Sequence, residues 1–320
     1  MPRNGKKSPG LLVAVDIGGS NLRVALADVR GNVLARRRSS TKETSSPQEV
    51  IAQIEESVDD LLKQQAASRS SLLSIAAGAP GVTDANSGVV LATSYLRGWT
   101  DVPFQHLLES AFRVPATVEN DVRLAAVGEH WMGAARGVDD FVFLAIGTGI
   151  GAGIFSNGQL IRGHNCTAGE VGYMYVPGAP QEQPQPGSPG SLERAIGGEG
   201  IRERWSQACA AGEYNRSLTA TEIFNLAASG DSQATRVLDR SAKLLAYALY
   251  NISVVLNSSL FVLGGSIGVS MPLRDATESI LKQYNQPMRP KLVISSLGTD
   301  AQLLGAVGLA LTKAEARNQP

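Results

Sequence analysis

The residues best suited to chemistry lie where apolar runs of the chain end in glycine or in a carboxylate. Asp16 ends the first such run, and Gly18, Gly19, Ser20 and Asn21 separate it from the next. Main-chain amides of such a turn can hold phosphate oxygens, and glycines permit backbone conformations that are closed to other residues. A carboxylate at the strand end can hold magnesium through water, because that ion keeps much of its hydration shell. An ordinary hairpin with a turn-forming aspartate is the competing interpretation.

Two further glycine turns follow apolar runs. From Gly147-Thr148-Gly149 the chain matches a loose form, G-x-G-x-x-A, of the dinucleotide fingerprint. That fingerprint requires a helix after the glycines, whereas an apolar strand, an Asn157-Gly158 turn and another strand follow here. Phosphate contact by hairpin amides therefore fits better than NAD binding, although a nicotinamide-dependent dehydrogenase stays an alternative. Gly264 and Gly265 form a third turn that would let a nucleotide approach the backbone.

Three carboxylate segments are candidates for binding or proton transfer. Glu119-Asn120-Asp121 lies between a predicted strand and a predicted helix, where helix capping is the simplest explanation. In the functional alternative, Asp121 accepts the proton of an attacking hydroxyl, and the helix N-terminus favours its charged form. Glu170 and Glu193 each lie among glycines, and carboxylates accept hydrogen bonds from neighbouring sugar hydroxyls. Surface ion-pair residues would look the same.

Hydrophobic periodicity predicts the elements that must position these residues. The predicted strands are 11–15, 22–27, 33–38, 72–77, 116–118, 141–146, 150–155, 159–163, 260–263 and 292–295. The predicted helices are 47–65, 104–112, 122–132, 192–211, 221–229, 231–256, 272–284 and 301–314. Proline and glycine make residues 177–191 a loop. The pattern of strand, glycine turn, strand, turn and strand occurs twice, about 130 residues apart, as a duplicated two-lobe nucleotide-binding fold would leave it.

Composition limits the class of protein. The chain has 320 residues, which exceeds the usual size of one core and favours two lobes with a cleft between them. Basic and acidic residues number 29 each, and no basic patch with interleaved aromatics indicates a nucleic-acid partner. The two cysteines, Cys166 and Cys209, lack metal-type spacing and suit a reducing compartment, so we expect a cytoplasmic protein. The apolar stretch at 244–263 is interrupted by polar residues, so no membrane partner is expected.

In order and spacing, these segments resemble the ROK family, which includes sugar kinases and repressors. The motifs that support the resemblance are DIGGSNLRVAL (16–26), GAPGVTD (78–84), LRGW (96–99), VENDVRLAAVGE (118–129), IGTGIGAGI (146–154), AGEVGY (168–173), GSPGSLE (187–193), LGGSI (263–267) and DAQLLGAVGLAL (300–311). The resemblance implies an α/β fold of the actin-like, hexokinase-like (ribonuclease H-like) class, with two lobes and a duplicated β-meander core. We predict a disordered tail at 1–10, a small lobe at 11–121 on which a helix at 300–315 packs, and a large lobe at 122–299.

The resemblance also implies roles for individual residues. Asp121 would be the catalytic base. Residues from Asp16 through Asn21 would contact phosphate and magnesium, Gly147, Thr148 and Gly149 the ATP phosphates, and Gly264 and Gly265 the adenosine. The residues that would bind sugar hydroxyls are Gly81, Asn120, Glu170 and Glu193.

One departure from the family pattern concerns zinc, which typical members hold with a histidine and three cysteines. Tyr173 stands at the histidine position, and Pro184, Pro186 and Ser191 stand at the cysteine positions. A closed structural zinc site needs four nitrogen or sulfur ligands, so we expect no zinc here. Tyr173 either contacts the sugar in place of the histidine or packs as an apolar side chain.

The resemblance therefore implies a hexokinase that uses ATP and magnesium, with glucose favoured and the 6-hydroxyl as the acceptor. Fructose, mannose, allose and N-acetylated amino sugars are alternative substrates, and polyphosphate and ADP are alternative donors. A sugar-sensing regulator is the alternative from another class, but only about ten residues precede the first strand, too few for a helix-turn-helix region. The resemblance implies a homodimer or homotetramer.

Overall fold

A computed structural model describes residues 10–41, 46–93, 95–183, 188–209, 217–284 and 286–317. These residues form two compact units. The first unit extends to Trp131 and includes His164–Cys166 and the segment from Asp300; the second comprises Met132–Gly163 and Thr167–Thr299. This division falls ten residues after the lobe boundary that we predicted at Asp121. The predicted disordered tail lies, apart from Gly10, outside the described residues.

The helices and strands follow the alternation that the sequence predicts. The strands of the described residues are β1 (Leu11–Ile17), β2 (Asn21–Asp28), β3 (Val33–Ser40), β4 (Leu72–Ala79), β5 (Val82–Asp84), β6 (Val89–Ala92), β7 (Thr100–Val102), β8 (Ala116–Asn120), β9 (Phe141–Ile146), β10 (Ile150–Ser156), β11 (Gln159–Ile161), β12 (Leu260–Gly264) and β13 (Leu292–Ile294). The α-helices are α1 (Pro47–Gln64), α2 (Phe104–Phe112), α3 (Asp121–Met132), α4 (Ser191–Ile196), α5 (Gly198–Ala208), α6 (Ala220–Ala228), α7 (Ser232–Leu256), α8 (Gly265–Gly268), α9 (Met271–Leu281) and α10 (Ala301–Arg317).

The main sheet of the first unit has the strand order β3-β2-β1-β4-β8. β1, β2 and β3 are antiparallel neighbours, whereas β1, β4 and β8 run parallel. Alternate residues of β1 face opposite sides: Val13 and Val15 join the cluster that includes α1 and α2, and Leu12 and Ala14 join the cluster that includes α10. Because both faces are covered, β1 is apolar along almost its whole length.

The second unit repeats this topology. Its sheet has the order β11-β10-β9-β12-β13, with β9, β10 and β11 antiparallel and β9, β12 and β13 parallel. The long helix α7 buries one face against this sheet, and its N-terminus is capped by the side chain of Asp231. The predicted duplication of the β-meander core is confirmed. No helix in the described part of the chain is long and apolar enough to span a membrane.

Two details differ from the sequence prediction. The segment between β4 and α2 contains a small antiparallel sheet, β5-β6-β7, whose short strands give little periodic signal. The single helix predicted at 192–211 is wrong, because it is divided into α4 and α5 at Gly197, whose backbone is extended. A Cβ at Gly197 would lie 2.6 Å from the carbonyl oxygen of Glu193 and 3.0 Å from that of Thr148. The interruption therefore follows from close backbone packing, which periodicity does not report.

Helices α3 and α10 cross at two glycines in the first unit. A Cβ at Gly128 would overlap the carbonyl oxygen of Ala301, and a Cβ at Gly305 would overlap that of Leu124. The two backbones therefore touch with no side chain between them, which brings α10 against β1 and β4.

We expect Gly305→Ala to destabilise the protein by about 1–3 kcal/mol, because the added methyl group must push two backbones apart. Urea unfolding measures this change. Gly308→Ala in the same helix is the control: its Cβ would meet the Trp131 ring at 3.2 Å, a contact that a side chain can relieve. Equal midpoints for Gly305→Ala and the natural protein would contradict the close crossing.

Candidate active site

The parallel strands of the first unit end in a row of residues from the segments that the sequence predicts as a site. In the strand register, Asp16 of β1 lies beside Gly78 of β4, which lies beside Glu119 of β8. Asn120 and Asp121 follow directly at the start of α3. Ligands of open α/β sheets commonly bind outside the carboxyl ends of parallel strands. The edge of this sheet is therefore a candidate site.

Gly78 lets the two aspartates of this row approach one another. A Cβ at Gly78 would lie 3.7 Å from Oδ1 of Asp16 and 3.7 Å from Cα of Asp121. It would also lie 2.6 Å from a methyl group of Leu124. Any larger residue would therefore displace α3 or enter the space between the aspartates.

Asp16 is almost fully buried and is held by Arg23, its partner across the β1–β2 hairpin. Arg23 Nε donates to Oδ2 of Asp16 at 2.7 Å, and Nη2 lies 2.6 Å from the same oxygen. Burial raises the pKa of Asp16, and the neighbouring guanidinium opposes that rise. No sequence motif marks Arg23 by itself as a site residue, although counting outward from the turn places it opposite Asp16.

The environment of Asp16 fits magnesium better than a closed metal site. Magnesium is usually held by one or two carboxylates together with water and substrate phosphates. Asp16 offers one carboxylate at the sheet edge, and the described residues contain no group of three or more His, Cys, Asp or Glu placed to bind a metal.

Asn120 and Asp121 have separate tasks at the start of α3. The side-chain oxygen of Asn120 accepts a hydrogen bond from the amide of Arg123 at 3.1 Å, so Asn120 caps the helix. Its side-chain nitrogen donates to the carbonyl of Gly81 at 2.8 Å. Gly81 has φ of +92°, and a Cβ there would overlap the carbonyl oxygen of Ala92. Asp121 is half-buried, and its Oδ1 accepts from the amide of Val122 at 2.9 Å.

A buried ion pair lies directly behind these residues. Glu119 and Arg123 are 0% and 1% exposed, and Nη1 of Arg123 lies 2.9 Å from Oε1 of Glu119. That oxygen also accepts from the amide of Asn120 at 2.9 Å, and Arg123 donates to the carbonyl of Cys166. The pair thus fixes the chain on both sides of the strand end.

The turn after β1 differs in conformation from the prediction. Gly18 and Gly19 do not adopt the left-handed backbone that would require glycine. The Gly18 amide donates to the carbonyl of Asn21 at 2.8 Å, and the hydroxyl of Thr41 donates to the carbonyl of Gly18 at 3.0 Å. Gly19 and Ser20 are exposed. A Cβ at Gly19 would lie 3.3 Å from Cβ of Tyr95, so glycine here avoids a close contact rather than permitting an unusual φ.

The second unit brings its two glycine turns together. Gly147, Thr148 and Gly149 join β9 to β10, and the Gly147 amide donates to the Gly149 carbonyl at 2.9 Å. Gly264 ends β12 beside Ala145 of β9. Gly265 follows with φ of +78°, and a Cβ there would overlap the carbonyl oxygen of Ile146. The neighbouring strands β9 and β12 therefore end in one glycine-lined surface.

The α5 helix begins on the same surface. The Gly198 amide donates to the Gly147 carbonyl at 2.9 Å, and a Cβ at Gly198 would lie 3.8 Å from Cα of Thr148. Exposed main-chain groups and the positive end of a helix therefore lie near Thr148, an arrangement suited to phosphate oxygens.

Glu170, Tyr173 and Glu193 form a second cluster in this unit. The Ile150 amide donates to Oε2 of Glu193 at 2.7 Å, which fixes α4 against β10. Burial raises the pKa of Glu193. Burial also raises the pKa of Tyr173, with further contributions from the charges of Glu170 and Glu193. The Tyr173 hydroxyl donates to the carbonyl of Ser188 at 3.3 Å, and 46% of the residue is exposed.

The loop that would carry the cysteine ligands of zinc in typical ROK members is described here only in part. Pro184 and Pro186 lie outside the described residues. Ser191 is buried at the start of α4, where its hydroxyl donates to the carbonyl of Pro180. The expectation that the chain holds no zinc stays a prediction.

The buried ion pair gives a stability prediction. Arg123→Met leaves the Glu119 carboxylate buried without its cation, which should cost about 3–5 kcal/mol in urea unfolding. Arg36→Met is the matched control, because Arg36 and Asp300 form a largely exposed pair whose loss should cost at most about 1 kcal/mol. Equal losses in the two variants would refute the structural role of Glu119 and Arg123.

Glu193 gives a pH prediction. Its folded-state pKa lies above the usual value of 4.5, so the folded state favours the protonated form, and this contribution is lost as pH rises through the folded pKa. The glutamine of Glu193→Gln cannot ionise. As pH rises, the unfolding free energy of this variant should therefore increase relative to that of the natural protein. Unfolding free energies of both proteins between pH 4 and 7 test this. If the unfolding free energy of the variant minus that of the natural protein decreases with rising pH, the predicted pKa shift has the wrong sign.

The model of the ROK family matches residues 12–313. Glucokinase of Halalkalibacterium halodurans is 30% identical over 92% of this chain and 92% of that protein. N-acetylmannosamine kinase of Escherichia coli is 30% identical over 93% of this chain and 97% of that protein. The crystal structure of a ROK family glucokinase from Streptomyces griseus in complex with glucose and AMPPNP has a TM-score of 0.76 at 25% identity, covering 95% of this chain and 100% of that one.

Proposed function

Because the chain belongs to the ROK family, we propose that it is an ATP-dependent hexokinase that phosphorylates glucose at the 6-hydroxyl. The predicted family and the hexokinase-like fold are confirmed by the family match and the structural neighbours. The observation that best supports the activity is the row of Asp16, Asn120 and Asp121 at the carboxyl ends of parallel strands.

In the proposed reaction, Asp121 accepts the proton of the sugar hydroxyl. The hydroxyl oxygen forms a bond to the γ-phosphorus of ATP, and the bond between that phosphorus and the β,γ-bridging oxygen breaks, so ADP leaves. The half-buried carboxylate lies at the N-terminus of α3, where the helix dipole favours its charged form. Asn120 and Gly81 bind sugar hydroxyls beside it, in positions that their mutual hydrogen bond fixes.

For the nucleotide, we assign phosphate contacts to Gly18, Gly19, Ser20 and Asn21 and to Gly147, Thr148 and Gly149. Their support is the exposure of Gly19 and Ser20 in the first turn and of Thr148 in the second. Gly264 and Gly265 would contact the adenosine. Asp16 is the residue that would hold magnesium, an ion that, when bound, offsets the charge of the transferring phosphates.

Glu170 and Glu193 are the proposed carboxylates for the remaining sugar hydroxyls. Glu193 has a fixed orientation because one of its oxygens accepts from the Ile150 amide. Glucose is favoured because the relative from Halalkalibacterium halodurans is a glucokinase. N-acetylmannosamine is the second candidate substrate, since a kinase for that sugar has the same level of identity.

Replacing the base gives the most direct test. Asp121→Asn should lower turnover by about 10²- to 10⁴-fold, because the amide cannot accept the proton. Coupled ADP release with ATP, magnesium and a panel of hexoses and N-acetylated amino sugars measures the rate. Asp101→Asn is the matched control: Asp101 is exposed, and its left-handed backbone suits asparagine.

Each outcome of this assay has a defined meaning. Near-normal turnover in Asp121→Asn, with its fold intact by circular dichroism, would show that another group is the base. A preference of the natural protein for N-acetylmannosamine over glucose would replace the proposed substrate. Absence of ADP release with every sugar would contradict the kinase assignment itself.

A further inference from the structure

A cavity of about 720 Å³ lies within the second unit. Its lining comes from α4, α5, the segment 178–182 and one residue of α7. Its volume falls in the range of about 300–1,000 Å³ that is typical of small-molecule sites. Thr148 and Glu193 also line it, so the cavity adjoins residues assigned to the active site. The lining also includes three arginines, Arg194, Arg204 and Arg240.

Arg204 and Arg240 lack a carboxylate partner within 4.0 Å among the residues that the structure describes. Nη1 of Arg204 donates to the carbonyl of Ala195 at 3.0 Å, and Nη2 of Arg240 donates to the carbonyl of Gly178 at 2.6 Å. A guanidinium has five N–H donors, so each side chain retains donors for a ligand. The two carbonyls fix both side chains on the cavity wall.

The two guanidiniums also repel one another. Burial of Arg204 lowers its pKa, and the positive charge of Arg240 lowers it further. Cations held close together without a counter-charge raise the free energy of the folded state. An anion in the cavity would remove that cost.

Arg194 adds a third unsatisfied group. Its Nε is buried and has no hydrogen-bond partner, while its Nη2 donates to the main-chain carbonyl of Glu182 at 2.7 Å. A buried N–H without an acceptor is costly unless a ligand or water supplies one.

The carboxylates in the lining do not neutralise the Arg204–Arg240 pair. Glu199 forms its ion pair with Arg202 on the same helix. Glu182 lies 3.8 Å from Arg194, and 78% of its side chain is exposed. Glu203 is exposed and is the remaining acidic side chain of the lining apart from Glu193.

We propose that this cavity binds the phosphate group of a small anion, with Arg204 and Arg240 donating hydrogen bonds to its oxygens. Arginine suits this task because its planar donors match phosphate geometry. The bound group could be inorganic phosphate, the phosphate of a sugar ester or one unit of polyphosphate, which share this chemistry. Thr148 and Glu193 belong to both linings, but none of the arginines has a part in the proposed nucleotide and sugar contacts. Occupancy of the anion site therefore does not depend on the kinase assignment.

Isothermal titration calorimetry without ATP or magnesium tests the proposal. The probes are inorganic phosphate, glucose 6-phosphate and tripolyphosphate, titrated into the full chain and into Arg204→Gln and Arg240→Gln. Arg236→Gln is the matched control, because Arg236 is exposed one turn before Arg240 on α7 and does not line the cavity. Loss of one charge-assisted contact should raise Kd at least about tenfold for the probe that the natural protein binds.

The probe that binds most tightly, with affinity lost in both arginine variants and kept in Arg236→Gln, identifies the source of the phosphate. Binding of no probe, or equal Kd values in all the proteins, overturns the proposal. Arg240 is exposed, so Arg240→Gln should fold even where Arg204→Gln does not, and an unchanged Kd in Arg240→Gln alone is sufficient for rejection.

Discussion

The proposed catalytic end of the first unit depends on one buried ion pair. Removing Glu119 and Arg123 from water is costly, and their mutual contact and the surrounding hydrogen bonds offset that cost. Glu119 also accepts from the amide of Asn120, while Arg123 donates to the carbonyl of Cys166. The charges therefore hold the end of β8, the start of α3 and residues 164–166 in one arrangement. Asn120 and Asp121 therefore lie on backbone that a buried ion pair holds in place.

Small residues set how closely the elements of this unit approach. Gly78 leaves room between Asp16 and Asp121, and Gly81 brings its carbonyl to the side chain of Asn120. Gly128 and Gly305 let α3 and α10 cross with their backbones in contact. The same design recurs in the second unit, where Gly265 and Gly198 pack against the turn between β9 and β10. In both units, the residues of the proposed site lie at or just after strand ends, and parallel pairing between neighbouring strands fixes the positions of those ends.

In the second unit, a carboxylate held by a main-chain amide lies near arginines that have no carboxylate partner within 4.0 Å among the described residues. Glu193 is held by the Ile150 amide and lies on a short helix that Gly197 separates from α5. On the cavity side, Arg204 of α5 and Arg240 of α7 have main-chain partners but no carboxylate within 4.0 Å among the described residues. Helices α4 and α5 thus contribute to a proposed sugar contact and, together with α7, to a proposed anion site.

The sequence by itself determined the family, the duplicated sheet and most element bounds, because ordered motifs and apolar periodicity are local properties. It also predicted Asp121, although locally that residue resembles a helix cap, a task that the structure gives to Asn120. Only the tertiary structure decided the partners of these residues: Arg23 on Asp16, Arg123 on Glu119 and the arginines of the cavity. Sequence patterns could not show why α4 ends at Gly197 or why Gly18 needs no left-handed backbone. Such features arise from contacts between distant segments, whose distances and desolvation no local pattern records.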